Sequence, residues 1–104
     1  MKKHNKLVRD NIPAIVAANG GTAQIRRIDD NDEFIAELAK KLIEEAREVQ
    51  EALSLDELAD LREVADTLLE TLGYSEHDLK AAQAAKAIKN GAFKDRVYLI
   101  STEG

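Results

Sequence analysis

Leu42-Ile43-Glu44-Glu45-Ala46-Arg47-Glu48-Val49-Gln50-Glu51-Ala52-Leu53 runs into Ser54-Leu55-Asp56-Glu57-Leu58-Ala59-Asp60-Leu61, and the stretch carries two acid pairs on two helical patterns. Glu45 and Glu48 are spaced i,i+3, as are Glu57 and Asp60, so each pair lies on one helix face. Between them, Leu53-Ser54-Leu55-Asp56 breaks the first pattern. The spacing predicts a helix over 33–53 and another over 56–72. Ser54 and Glu57 form a candidate capping box at the second start. At about 100° per residue from Glu45, Leu38, Leu42, Val49, Leu53 and Ile35 fall between roughly +20° and +80°, and Phe34 near −20°. Glu45 is inside this apolar arc and Glu48 is on its flank, at roughly −60°. Measured from Glu57, Leu61, Leu68, Leu72 and Ala65 occupy roughly +20° to +80°, Val64 lies near −20° and Asp60 at roughly −60°. Both helices therefore place one acid within the buried stripe and one on the same flank.

Two helices folded back across the break aim four carboxylates at one place. A buried carboxylate needs a partner or a proton. Hard oxygen donors of this kind suit Mg²⁺, with substrate phosphates completing its shell. Local partners compete with that reading. Glu57 is also placed to return to the Ser54 cap. Glu45 is also placed to pair with Lys41, one turn before it.

Outward from this centre, Pro13 suits the first turn of a helix, with Asp10 or Asn11 before it and Asn19-Gly20-Gly21 ending it. Asp29-Asp30-Asn31-Asp32 is a cap cluster. Gly73 suits a helix end. Ser75 and Asp78 repeat the capping pattern for a fourth helix that runs to Asn90-Gly91. Residues 22–28 and 96–101 read as extended, and the expectation is a short β-hairpin between them. The fold class expected is mostly α, a bundle of about four helices with that hairpin, in one domain over residues 1–104.

Composition agrees. The chain has 104 residues, two Phe, two Tyr and no Trp, so Leu, Ile, Val and Ala must build the core. There is no Cys, which excludes disulfides and thiolate metal sites. The formal net charge of −5 argues against a nucleic-acid binder. No apolar run approaches membrane-spanning length, so no membrane partner and a cytoplasmic location are expected. The region 33–70 is acidic in excess, while the flanks through Arg27 and over 80–96 are basic. Acids for a metal and bases for an anion are what a metal–phosphate site needs. His4 and His77 lack ligand spacing. Gly20-Gly21 is not followed by the Lys-Ser/Thr of a phosphate loop. Tyr74 and Phe93 are expected as helix-end core contacts.

Three ordered blocks resemble a known family. Leu42 to Val49 with Asp56 to Leu61 is similar to the core signature of the MazG-like all-α nucleoside triphosphate pyrophosphohydrolases, shared with phosphoribosyl-ATP pyrophosphohydrolases. Lys6-Leu7-Val8-Arg9-Asp10-Asn11-Ile12-Pro13 resembles the KLVRDKIP opening of a small single-domain branch described as house-cleaning pyrophosphatases. Lys86 to Leu99 resembles that branch's closing block. The resemblance implies Mg²⁺-dependent hydrolysis (Mn²⁺ a possible substitute) of a nucleoside triphosphate, ordinary or damaged, to the monophosphate and pyrophosphate. It implies Glu45, Glu48, Glu57 and Asp60 as metal ligands; a carboxylate not fully engaged by the metal would accept the water's proton, with Glu45 and Glu48 the catalytic candidates and Glu44 and Glu63 outer ones. Lys6, Arg9, Lys86, Lys89 and Arg96 lie in the matching terminal blocks and are the candidates to hold the nucleotide's phosphates. A homodimer or higher homo-oligomer is expected, because short helices on a small chain leave apolar faces uncovered. The chain departs from the branch at Asn11, at Asn90 and at Ala92. Those departures motivate the alternatives: a non-catalytic nucleotide-binding regulatory module on the same fold, or a helical interaction module.

Overall fold

The computed structural model describes residues 2–104. It contains four helices: α1 over Ile12–Ala18, α2 over Asn31–Ala52, α3 over Leu55–Thr71 and α4 over Glu76–Asn90. The protein is mostly α, with four helices and no strand among the described residues. It divides into two compact units, residues 1–73 and 74–104.

The helix ends follow the local chemistry. Asn11 precedes α1 without a side-chain cap bond, and Pro13 occupies its first turn. Asp30 caps α2 by accepting from the Glu33 N–H at 3.1 Å. Leu53 ends α2 in the left-handed region, at φ 53°, and its N–H reaches the Val49 carbonyl at 2.7 Å. Ser54 immediately caps α3, accepting from the Glu57 N–H at 3.2 Å. The helices are thus joined by two residues and packed along each other, which makes them an antiparallel helical hairpin. Past α3, Gly73 takes φ 87°, a conformation that costs glycine little.

The hairpin buries little. Leu38 on α2 is 3 % exposed, and the other buried residue is Glu45, at 6 %. Phe34, Ile35, Leu42 and Val49 on α2, and Leu61, Val64, Ala65 and Leu68 on α3, are half-buried, as the wheels require. Leu72, expected in the α3 stripe, is 49 % exposed, and Leu53 departs from its own expected stripe. The left-handed turn carries it off the helix, and it is 78 % exposed.

The second unit contains α4, whose capping box is complete. Ser75 Oγ accepts from the Asp78 N–H at 3.1 Å, and Asp78 Oδ2 accepts from the Ser75 N–H at 2.8 Å. Every residue of α4 is exposed.

The expected β-hairpin from 22–28 and 96–101 does not form. Neither segment has ladder bonds or strand assignment. Arg26 instead makes a forked pair with Glu33, Nη1 to Oε1 at 3.2 Å and Nη2 to Oε2 at 2.6 Å, tying the first segment to the start of α2. Val97, Tyr98 and Ile100 are almost fully exposed. An isolated two-stranded ribbon with no apolar face covered is marginal in water.

Candidate metal centre

The end of α2 and the start of α3 set the acids side by side across the Leu53-Ser54 turn. Glu45, Glu57 and Asp60 each offer a carboxylate oxygen, and these three atoms lie within 4.8 Å of one another. Glu48 stands outside this trio, yet near enough to raise the carboxyls of both Glu45 and Glu57. All four acids predicted from the two i,i+3 pairs therefore gather in one locality.

Their electrostatics are unfavourable without a cation. Glu45 Oε2 and Glu57 Oε2 are buried and receive no hydrogen bond. Neighbouring carboxylates are acceptors and cannot satisfy them. Burial pushes the Glu45 carboxyl above its usual range, and Glu48 adds to the shift as the next cause. Lys41 opposes it from 3.5 Å, and Asp60 raises it further. Burial also raises Glu57, followed by the charges of Glu48 and Asp60. A proton shared among these groups is one remedy; a divalent cation is the other. The three carboxylate oxygens in close approach form a hard donor set of the kind that Mg²⁺ or Mn²⁺ takes. The orphaned, buried oxygens are the observation that makes the fit specific, because exposed acid clusters leave nothing unsatisfied.

Both local competitors are present in part. The Ser54 box is only half formed: Ser54 accepts from the Glu57 N–H, but no bond returns from the Glu57 carboxylate. That carboxylate belongs to the acid group instead. Lys41 does lie beside Glu45, but it divides its ammonium between Glu45 at 3.5 Å and Glu44 at 3.4 Å.

The bases fall in two places. Residues 6–9 bridge the helical hairpin. Lys6 Nζ pairs with Glu44 Oε1 on α2 at 3.2 Å, and Arg9 Nη2 donates to Asp60 Oδ1 on α3 at 2.7 Å. The Lys6 and Lys41 ammoniums together hold the Glu44 carboxyl below its usual value, against the opposing effect of burial, which is the largest single influence. Lys86 and Lys89 are on α4 and Arg96 follows in the tail; all three are exposed residues of the second unit. Tyr74 and Phe93, expected as core contacts, are 60 % and 97 % exposed, because the helix ends they flank bury nothing.

The Arg9–Asp60 pair has no sequence signal, since it joins residues 51 positions apart. The same holds for Lys6 and Glu44, 38 apart. Among the described residues no helix is long and apolar enough to cross a membrane. No family model, no curated protein and no solved structure matches the chain.

Proposed function

We propose that the chain is a Mg²⁺-dependent nucleoside triphosphate pyrophosphohydrolase of the MazG-like type, cleaving between the α- and β-phosphates. One observation carries this reading. Glu45 is 6 % exposed, its Oε2 has no donor, and its carboxylate converges with Glu57 and Asp60 within 4.8 Å. Carboxylates brought this close repel one another, and a divalent cation among them relieves that repulsion and supplies the partner that Glu45 Oε2 lacks.

Glu45, Glu57 and Asp60 would hold the metal, with Glu48 beside them. When bound, Mg²⁺ neutralises phosphate oxygens and makes a coordinated water more acidic. Glu48, outside the closest trio, is the acid best placed to accept the water's proton. Glu45, as a ligand beside Glu48, would help to position that coordinated water. Lys6 and Arg9, at the edge of the helical hairpin, supply positive charge for the phosphates. Lys86, Lys89 and Arg96 extend that role in the proposal, on the strength of the family resemblance alone.

The active form is proposed to be a homodimer or larger. Leu55 and Leu58 on α3 are 81 % and 48 % exposed, and Ile43 on α2 is 55 % exposed. Exposed apolar faces of this kind, with Leu38 the one buried apolar side chain among the described residues, support that reading.

Purified protein incubated with a panel of nucleotides and Mg²⁺ tests the reading. Pyrophosphate release with at least one nucleotide, abolished in Glu45→Gln, is the expected result. Tight nucleotide binding without turnover would instead identify a regulatory module. No binding of metal or nucleotide would leave a helical interaction module.

A further inference from the structure

Arg9 and the metal have claims on the same carboxylate. Arg9 Nη2 lies 2.7 Å from Asp60 Oδ1, and Asp60 is one of the three residues whose oxygens converge. Lys41 and Arg9 are the cations paired directly with members of that trio. Lys41 shares its ammonium with Glu44, so Arg9 brings the less divided charge. From these contacts, and resting on the metal-centre reading above, we infer that Arg9 is a resident countercation that metal loading displaces from Asp60, freeing its guanidinium for the substrate phosphates.

The geometry suits an exchange. The side chains of Arg9 and Asp60 are 56 % and 39 % exposed, so the pair is a solvent-screened one of modest strength. A divalent ion held by several carboxylates outcompetes a single screened guanidinium. Lys6 anchors the same segment to Glu44, which is not one of the converging trio. Loss of the Arg9 contact therefore releases one end of a short strap while the other stays fixed. The freed fork remains beside the site and matches a phosphate, bidentate to bidentate. Positive charge thus covers the acids before metal arrives and faces the anion afterwards. A nucleotide reaching a metal-free site would find Arg9 already engaged.

The test measures Mn²⁺ affinity by calorimetry in the full-length protein and in Arg9→Gln, without nucleotide. Competition predicts that Arg9→Gln binds Mn²⁺ about fivefold more tightly, the most a screened pair of this kind can withhold. The same variant, loaded with Mn²⁺, should bind pyrophosphate about tenfold more weakly, having lost a charged donor. Opposite signs in one protein separate exchange from a structural role, which would weaken both. Equal or weaker Mn²⁺ binding in Arg9→Gln, with the unsubstituted protein binding normally, overturns the exchange and leaves the metal centre standing. Failure of both proteins to bind Mn²⁺ overturns the metal centre and the exchange together. If Arg9→Gln does not fold, the unsubstituted protein gives the answer by NMR. Mg²⁺ titration should move the Arg9 guanidinium resonance from its paired position to that of free arginine, and a resonance that does not move overturns the exchange.

Discussion

Glu45 on α2 and Glu57 on α3 each present a buried Oε2 without a hydrogen-bond donor, and their carboxylates converge with that of Asp60. The two acids hold the same place on their helices relative to the apolar stripe, so packing the stripes together packs the acids together. Core formation and assembly of the charged centre are consequently one event.

Metal-free protein should become more stable as pH falls from neutrality towards 5. The Glu45 and Glu57 carboxyls are raised above the ordinary 4.5 in the folded state. Their contribution to stability is complete below the unfolded value and is lost as pH rises through the folded one. Glu33 and Glu44 are lowered, so their contribution is present above 4.5 and is lost only at more acid pH. Melting temperature in EDTA should therefore rise as pH falls from 7 towards 4.5 and fall at more acid pH. Saturating Mn²⁺ should remove the rise, because the metal needs the deprotonated acids. A metal-free melting temperature that falls steadily below pH 7 would contradict this account.

Glu45→Gln should stabilise the metal-free protein and disable it. The amide is neutral and brings donors to a cluster that lacks them, so a gain of about 1 kcal/mol is expected. Metal-dependent stabilisation should vanish, and hydrolysis should fall by at least about a hundredfold. Thermal melts with and without Mn²⁺ read the first two effects. A destabilised Glu45→Gln would mean that its charge is satisfied without metal.

Leu38→Ala should cost about 3 kcal/mol, near the middle of the range for a buried leucine. Leu38, 3 % exposed, is the one buried apolar side chain among the described residues, so little else can absorb the loss. Urea denaturation of the two proteins checks it. A loss below about 1 kcal/mol would show that the helical hairpin is held together elsewhere, for instance by a second copy.

Ser54→Ala should cost about 1 kcal/mol, the usual worth of an N-cap hydroxyl. It should leave Mn²⁺ affinity within about twofold, because the Glu57 carboxylate does not rely on the cap. Paired denaturation and calorimetry measurements decide it. A large loss of Mn²⁺ affinity would mean that the cap orients Glu57.

The helix ends were legible in the sequence because caps act over a few residues. Asp30, Ser54 and Ser75 each accept from the backbone N–H three positions on. The i,i+3 acids were legible for the same reason, since helical periodicity alone puts Glu45 with the leucines. The hairpin of 22–28 with 96–101 was misread. Alternating side chains say that a segment can extend, but not that an edge exists to receive it. Arg26 found Glu33 instead, a bond that the extended reading had no means to anticipate. Leu53 was misplaced because the helical wheel continues past the residue where the backbone turns left-handed.

By itself, then, the sequence determined four helices, the N-caps of α2, α3 and α4, and the one face on which each acid pair lies, since all of these depend on neighbours within a turn or so. Tertiary structure alone decided that Glu57 leaves its cap for the acid group and that Arg9 rests on Asp60. Those outcomes are set by which charges the packed helices bring within a few ångströms, and residues 51 positions apart carry no local record of that meeting.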